Sequence, residues 1–213
     1  MEHALKKMHL FIWDFDGTLM DTYPVTFAAY LHQALADFGY SAPAAEVMEK
    51  MLVNTGHAVS YYMERYDLPQ LRERYKYYQA KGAVAMPETL PQVKEVLQRV
   101  RELGGVNCIY THRDATIFPM LEHGQLTELF EEIIIPGSNA FATKPAPDTI
   151  LYLMEKYGIA PEETVMVGDR ACDLESGQNA GCRTLHLLTP VVPQYPPCDW
   201  RIENFGQMLE MLK

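Results

Sequence analysis

Strand and helix patterns alternate along the second half of the chain, and this alternation restricts the possible folds more than any other feature. Four short apolar segments after residue 87 are typical of strands: "VNCIYT", "EEIIIP", "TVMVGD" and "CRTLHLL". Helical patterns lie between them, among them residues 147–157 and 171–180. Strands that alternate with helices form parallel sheets with helices on both faces. Together with an earlier apolar run at residues 11–13, the pattern predicts an α/β protein with a Rossmann-like, doubly wound parallel sheet.

The segment between the first strand and residue 87 has a different pattern. Its apolar residues recur at helical spacing in about four stretches, from the first, Phe27 to Phe38, to the last, residues 70–81. No strand pattern interrupts them. We therefore interpret this segment as an inserted helical-bundle cap. The predicted boundaries are residues 20–86 for the cap and residues 1–19 and 87–213 for the core domain.

Composition limits the partners of the protein. Its 28 acidic and 18 basic residues give a formal net charge of -10, which repels polyanions, so nucleic acid is not an expected partner. A small phosphorylated metabolite can still bind if a lysine or a metal ion lies in the pocket. The four cysteines form no CxxC pair and are expected to be reduced thiols, as in a cytoplasmic protein. No segment approaches ~18 apolar residues, so no membrane span is expected. The chain is expected to be a monomer or a homodimer.

Polar residues follow the predicted strands at the points where the strands end. Asp14 and Asp16 follow the first strand, Thr111 ends "VNCIYT", and Asp169 ends "TVMVGD". Lys144 lies in the loop after "EEIIIP". In parallel α/β sheets ligands bind outside the carboxyl ends of the strands. We therefore expect these residues, although far apart in the sequence, to meet in one cleft.

A cleft with three aspartates, a lysine and a threonine hydroxyl favours phosphoryl transfer. Carboxylates provide the hard oxygen ligands that Mg²⁺ prefers, and a metal ion and a lysine together neutralise phosphate oxygens. A carboxylate that remains free can attack phosphorus. The sequence contains no Ser-His-Asp arrangement that would indicate a different hydrolytic chemistry.

Four motifs, in order along nearly the whole chain, resemble those of a known family. "DFDGTLMDT" resembles the first motif of the haloacid dehalogenase superfamily, "IYTHR" the second, "KPAPD" the third and "VGDRACD" the fourth. The first and the last are specific, whereas the threonine motif alone is weak. The chain resembles the branch with a helical cap after the first strand, whose members include phosphoglycolate phosphatases and β-phosphoglucomutases.

The resemblance implies different roles for the two aspartates of the first motif. Asp14 would be the nucleophile that becomes an aspartyl phosphate. Asp16 would protonate the leaving oxygen and later activate water. Family members that hydrolyse haloacids lack this acid, so the presence of Asp16 disfavours dehalogenation.

The resemblance also implies which residues hold the phosphoryl group and the metal. Thr111 and Lys144 would bind the phosphoryl group, and the backbone amides of His112 and Arg113 are candidates for further contacts. The side chains of His112 and Arg113 are expected to be surface or helix-entry groups. Asp173 would support the metal site or ligate directly. The implied Mg²⁺ ligands are Asp14, the backbone carbonyl of Asp16, Asp169 and Asp173.

The cap contains two features of open interpretation. "NTGHAV" carries Thr55, Gly56 and His57 where the substrate-specificity loop of the family would come, although a plain turn between helices explains it equally well. Six tyrosines within the cap could stack a sugar or a base, but packing between amphipathic helices is the simpler explanation. They are Tyr61, Tyr62, Tyr66, Tyr75, Tyr77 and Tyr78.

These observations favour a Mg²⁺-dependent phosphatase that hydrolyses a small phosphomonoester through an aspartyl-phosphate intermediate. A sugar phosphomutase similar to β-phosphoglucomutase is the first alternative. That relative has Glu-Asp in its fourth motif, where this chain has Gly-Asp in "VGDRACD", so hydrolysis is favoured. A non-enzymatic phospho-receiver or binding protein is the alternative from another class. Receivers are shorter and lack a helical insert.

Overall fold

The computed structural model describes residues 4–53, 55–82, 85–138, 141–189 and 196–213 of the 213-residue chain. Backbone contacts divide the chain into two compact units. The first, here called the core unit, contains Met1–Met20 and Thr89–Lys213. The second, here called the cap unit, is Asp21–Glu88; the sequence analysis placed this insert at residues 20–86. Within the described residues, no helix is both long and apolar enough to cross a membrane.

The core unit is built on a parallel sheet, which confirms the predicted α/β fold. Over the described residues the sheet has six strands in the order β3-β2-β1-β4-β5-β6, and every neighbouring pair is parallel. The three-residue edge strand β6 was not predicted, because it is too short to show a periodic pattern. The strands are β1 (Leu10–Trp13), β2 (Val106–Tyr110), β3 (Glu132–Ile134), β4 (Thr164–Gly168), β5 (Arg183–Leu187) and β6 (Trp200–Ile202).

The cap unit is helical. A π-helical turn, Tyr23–Ala28, leads directly into the first α-helix. The described α-helices are α1 (Ala29–Ala36), α2 (Ala44–Val53), α3 (Thr55–Tyr66) and α4 (Leu71–Lys81). Tyr62 and Tyr75 are buried in the hydrophobic core of this unit, and Tyr61, Tyr66 and Tyr78 pack against it. Five of the six cap tyrosines therefore contribute to packing within the cap, and Tyr77 is exposed.

Five further helices in the described residues belong to the core unit. They are α5 (Val93–Glu102), α6 (Ile117–His123), α7 (Asp148–Tyr157), α8 (Ala171–Asn179) and α9 (Phe205–Met211). Short 3₁₀ turns occur at Ala4–Lys7, Thr127–Leu129 and Pro161–Glu163. Helix α7 begins one residue after the start predicted from its apolar spacing, and α8 ends one residue before its predicted end.

Strand β1 is buried on both faces, as expected for a central parallel strand. Leu10 and Ile12 belong to a hydrophobic cluster that includes residues of α7. On the opposite face, the ring of Trp13 lies 6.1 Å from that of Phe205 in α9. The buried Trp13 Nε1 donates a hydrogen bond of 3.0 Å to Asn107 Oδ1 of the neighbouring β2. These contacts fix the end of β1 and therefore the position of Asp14, the next residue.

Candidate active site

Three adjacent central strands deliver polar residues to the same edge of the sheet. Asp14 follows β1, Thr111 follows β2 and Asp169 follows β4. Strand β1 lies between β2 and β4, so the chain leaves β1 toward one side of the sheet and later returns to the other. Such a topological switch point opens a crevice at the carboxyl ends of the strands. The backbone N–H of Asp14 extends the β1–β4 pairing by donating to the carbonyl of Val167 at 2.9 Å.

A tight turn after Asp14 fixes the second aspartate. Gly17 has a φ of 77°, a left-handed conformation that glycine adopts without the steric cost of a side chain. Its N–H donates to the carbonyl of Met20 at 2.9 Å, and the N–H of Leu19 donates to Phe15 at 3.0 Å. Phe15 and Leu19 are fully buried. The alternation of apolar and acidic residues in "DFDGTL" thus anchors the turn in the core and holds Asp14 and Asp16 at its edge.

Lys144 connects two of the acidic residues. Its Nζ donates to Asp14 Oδ1 at 2.6 Å and to Asp173 Oδ1 at 2.7 Å, and its side chain is 0% exposed. Burial opposes the positive charge, but the two carboxylates outweigh it and raise the pKa of Lys144 above its ordinary value. Lys144 therefore stays charged. Loops that follow β1 and β3 thus meet the start of α8 through one buried ammonium group.

Asp173 is held in place from two sides. Its Oδ2 accepts the backbone N–H of Arg170 at 3.0 Å, which caps the first turn of α8, while Oδ1 accepts Lys144. Gly168 makes this close approach possible, because a Cβ at that position would lie 2.4 Å from Asp173 Cβ. Both carboxylate oxygens of Asp173 thus have donors from the protein.

Asp169 is fully buried and is held through both its side chain and its backbone. Thr18 Oγ1 contacts Asp169 Oδ1 at 3.4 Å. His186 Nε2 lies 3.1 Å from the Asp169 carbonyl oxygen, and Arg201 Nε donates to His186 Nδ1 at 3.4 Å. The Asp169 carbonyl can only accept a hydrogen bond, so Nε2 must donate to it, and Nδ1 accepts the hydrogen bond from Arg201. The proton of the neutral His186 ring therefore lies on Nε2. Burial lowers the pKa of His186, which favours this neutral form.

The three aspartates form a compact acidic cluster. One carboxylate oxygen from each of Asp14, Asp169 and Asp173 lies within 4.8 Å of the other two, and all three residues are buried. Burial and the charge of Asp173 raise the pKa of Asp14 to about 7, although Lys144 lowers it. Lys144 contacts two of these three carboxylates, and together the three oxygens offer a group that could bind a divalent cation. The side chain of Asp16 is not part of this cluster of described residues.

Asp16 instead pairs with an arginine that was expected at the surface. Arg113 is buried, and its Nε donates to Asp16 Oδ1 at 2.8 Å and to Oδ2 at 3.1 Å, while Nη2 also donates to Oδ1. The prediction of a surface or helix-entry side chain is wrong for Arg113. The side chain turns inward because the carboxylate of Asp16 offers a buried partner. A usable signal existed, since Arg113 follows Thr111 at the same sheet edge as Asp16. His112, which lies between Thr111 and Arg113 in the sequence, is exposed.

Thr111 is buried at the end of β2. Its backbone N–H donates to the carbonyl of Ile134 at 3.2 Å. Its Oγ1 accepts the backbone N–H of Arg113 at 3.0 Å. That bond uses a lone pair of the hydroxyl oxygen, so the hydroxyl hydrogen can still be donated to another acceptor.

The cap residues selected from the sequence lie in a helix and not in a loop. Thr55, Gly56 and His57 form the first turn of α3, with His57 exposed; the preceding Asn54 lies outside the described residues. Glycine disfavours helix, but Ala58, Val59 and Tyr62 are buried in the cap core. Their packing extends α3 toward its N-terminus beyond what local propensity predicts.

Comparisons with known proteins agree with this fold. Residues 11–187 match the family model described as haloacid dehalogenase-like hydrolase. A curated relative named phosphoglycolate phosphatase, from Mannheimia succiniciproducens, is 27% identical, covering 94% of this chain and 96% of its own length. Another protein of that name, from Aliivibrio fischeri, is 29% identical over 85% of each chain.

Solved structures are similar over most of the chain. The crystal structure of a predicted phosphoglycolate phosphatase from Haemophilus somnus superposes with a TM-score of 0.83, at 24% identity, and covers 97% of this chain and 99% of that one. A hydrolase from Streptococcus pneumoniae is 33% identical, with a TM-score of 0.68, and the match covers 86% of this chain and 94% of that one. Both the sequence family and the fold therefore extend across the core and the insert.

Proposed function

The chain belongs to the haloacid dehalogenase-like hydrolase family, and from this premise we propose that it is a Mg²⁺-dependent phosphatase that hydrolyses a small phosphomonoester through an aspartyl-phosphate intermediate. The observation that carries the proposal is the buried contact of Lys144 with Asp14, inside a cluster of three aspartates at the carboxyl ends of the strands. A nucleophilic carboxylate beside an ammonium group suits an attack on a phosphate monoester, whose negative charge the ammonium group neutralises.

Asp14 is the proposed nucleophile. Lys144 contacts Asp14 at Oδ1, which leaves Oδ2 as the candidate attacking oxygen. In the first step a bond forms between this oxygen and phosphorus, and the bond from phosphorus to the leaving oxygen breaks. The leaving oxygen receives a proton from Asp16. In the second step Asp16 takes a proton from water as the water attacks phosphorus, which releases inorganic phosphate and restores the Asp14 carboxylate.

Thr111 and Lys144 are the proposed ligands of the transferring phosphoryl group. The hydroxyl hydrogen of Thr111 can be donated to a phosphate oxygen, since its bond with Arg113 uses only a lone pair. Lys144 has three donors, of which two bind Asp14 and Asp173. The exposed side chain of His112 makes a backbone contact to phosphate the more natural role for that residue.

The donor set fits Mg²⁺, because all the clustered side-chain ligands are carboxylate oxygens. Asp14, the backbone carbonyl of Asp16, and Asp169 would hold the ion. When bound, Mg²⁺ would neutralise charge on the phosphoryl oxygens. Both oxygens of Asp173 already accept hydrogen bonds, which supports a role in orienting Lys144 in preference to direct ligation.

The proposed substrate is a small phosphomonoester, and 2-phosphoglycolate is the first compound to test because the curated relatives carry that name. The core residues address only the phosphoryl group, so selection among esters is assigned to the cap. Thr55, Gly56 and His57 are proposed as specificity residues. The exposed His57 at the start of α3 offers the most accessible polar group of the three.

The test is phosphate release from a panel of phosphorylated metabolites that includes 2-phosphoglycolate and sugar phosphates, with Mg²⁺ and after chelation with EDTA. We expect release that requires Mg²⁺ and is lost in Asp14→Asn but not in Asp37→Asn, a control at the exposed end of α1. Full activity after exhaustive chelation contradicts the metal requirement. Isomerisation of a sugar phosphate that depends on a sugar bisphosphate, with little phosphate release, would indicate a mutase instead.

A further inference from the structure

We propose that Arg113 is a positioning residue that holds the carboxyl group of Asp16 in the orientation needed for proton transfer. The inference rests on the proposed phosphatase function, because it concerns how the acid of that reaction is placed. Arg113 and Asp16 are separated by 97 positions in the sequence, yet both lie in loops at the carboxyl ends of adjacent strands, β1 and β2.

The contacts between the two side chains are asymmetric. Nε and Nη2 of Arg113 both donate to Asp16 Oδ1, whereas Oδ2 receives one contact from the described part of the chain, from Nε at 3.1 Å. Oδ1 is therefore the anchored oxygen. A proton on Oδ1 would have to share that oxygen with two donors, so Oδ2 is the oxygen that gives up and accepts the proton.

Arg113 is itself held by the loop that carries it. Its backbone N–H donates to Thr111 Oγ1 at 3.0 Å, and its Nη1 lies 3.4 Å from Thr116 Oγ1. Thr116 is fixed by two hydrogen bonds to Asp114 Oδ1, one from its N–H at 3.0 Å and one from its hydroxyl at 2.6 Å. The guanidinium carbon also lies 5.8 Å from the centre of the Phe15 ring. The orientation of Asp16 thus depends on a loop that also contributes the proposed phosphate ligand Thr111.

Burial separates this pair from an ordinary surface ion pair. The side chains of Arg113 and Asp16 are only 6% and 12% exposed. Taking both charges out of water is costly, and an apolar pair could fill the same space without that cost. A lysine in place of the arginine could not donate from two nitrogens in a fixed plane. The planar guanidinium is suited to fixing a carboxyl group in one orientation, which is what a general acid and base requires.

The test compares Arg113→Met and Arg113→Lys with wild type on two substrates: p-nitrophenyl phosphate, whose leaving group needs no proton, and the best alkyl phosphomonoester from the panel. For Arg113→Met we expect kcat/KM for the alkyl ester to fall about 10²-fold, as for a misplaced catalytic group. The kcat/KM for p-nitrophenyl phosphate should change far less, because its leaving group needs no proton. Its kcat and KM should fall together, because the second step, in which water attacks the phosphoenzyme, still needs Asp16. Arg113→Lys should be intermediate. An equal loss of kcat/KM on both substrates overturns the proposal.

A double mutant distinguishes positioning from general support of the fold. If Arg113 acts through Asp16, adding Arg113→Met to Asp16→Asn should lower kcat/KM no further; an additive loss overturns the proposal. Arg183→Met, which removes an exposed partner of Asp199 in the same unit, is the matched control and should leave kinetics unchanged. If Arg113→Met does not fold, Arg113→Lys and its Asp16→Asn double mutant carry the same comparison. The results would be different if the proposed function itself were wrong. In that case wild type would release no phosphate, or Asp16→Asn would not slow its release.

Discussion

An ion-pair network in the core unit and an ion pair in the cap unit use charge in opposite ways. In the core unit the side chains of Lys144 and Asp173 are 0% and 2% exposed, and they form one buried network with Asp14. In the cap unit the pair of Arg74 and Asp37 is 38% and 31% exposed. In both places a positively charged nitrogen contacts a carboxylate oxygen, but only in the core unit are the charged groups removed from water.

This difference separates a functional use of charge from a use at the surface. Burying ions costs several kcal/mol each, and the attraction between them only partly offsets that cost. Asp14 and Asp173 share one buried lysine, and a carboxylate oxygen of Asp169 lies within 4.8 Å of theirs. Folding does not require such costly burial of charge, which supports a role for the cluster in binding a charged ligand. Exposed pairs cost little and contribute about 0–1 kcal/mol. The comparison predicts that substitutions in the core cluster change chemistry and stability strongly, whereas matched substitutions in the cap change little.

The largest effect is expected from Asp14→Asn. The substitution removes the proposed nucleophile and a proposed metal ligand, so kcat/KM should fall by about 10⁴-fold or more, as for other nucleophile deletions. Steady-state kinetics on the preferred substrate measure the effect, and circular dichroism checks the fold. Near wild-type turnover in a folded variant would remove the functional reason for the buried cluster.

Asp16→Asn should have the next largest effect and should depend on the leaving group. Loss of a general acid lowers the rate by about 10²- to 10⁴-fold, and the loss in kcat/KM should be smallest for p-nitrophenyl phosphate. Substrate binding should be retained, which isothermal titration with a non-hydrolysed phosphate analogue can measure. If kcat/KM fell equally for all esters, Asp16 would be supporting the site and not transferring a proton.

Lys144→Met should lower stability as well as activity. Removing one partner of a buried ion network typically costs about 3–5 kcal/mol, because the carboxylates of Asp14 and Asp173 lose their counter-charge. The control is Lys156→Met, which removes a lysine whose side chain is 44% exposed from its pair with Glu132 in the same unit. Urea unfolding compares the two variants; equal destabilisation would erase the distinction between buried and exposed pairs.

The smallest effect is expected from Asp37→Asn in the cap unit. Hydrogen bonds from Arg74 and Tyr78 lower the pKa of Asp37 below its ordinary value of 3.8. A lowered folded-state pKa stabilises the fold above the unfolded-state pKa, and this stabilisation is lost as the pH falls through the folded-state pKa. Thermal unfolding of the variant should therefore resemble wild type except for a small deficit at neutral pH that disappears in acid. A deficit as large as that of Lys144→Met would contradict the comparison.

The parts of the structure that follow from local pattern were predictable from the sequence. Apolar runs with helices between them predict the parallel sheet, and strand ends place Asp14, Thr111 and Asp169 along one edge. The strand β6 is only three residues long, so the alternation of apolar and polar residues around Arg201 is too short to be recognised as a strand pattern. The inward turn of Arg113 was missed for a different reason. Arg113 and Asp16 both follow strands that the sequence predicts to end at one edge of the sheet, which was the usable signal. Whether the two side chains pair, however, depends on tertiary packing that propensity and spacing do not encode.

The most direct test of the central claim is to look for the phosphoryl group on Asp14. Asp16→Asn mixed with Mg²⁺ and p-nitrophenyl phosphate should accumulate phosphoenzyme, because the first step needs no proton donor with this leaving group and the second step lacks its base. After acid quench and digestion, mass spectrometry should find one added phosphoryl group on the peptide containing Asp14, and none when Asp14→Asn is added. Phosphorylation of another residue, or turnover with no phosphorylated peptide at any quench time, would contradict the account.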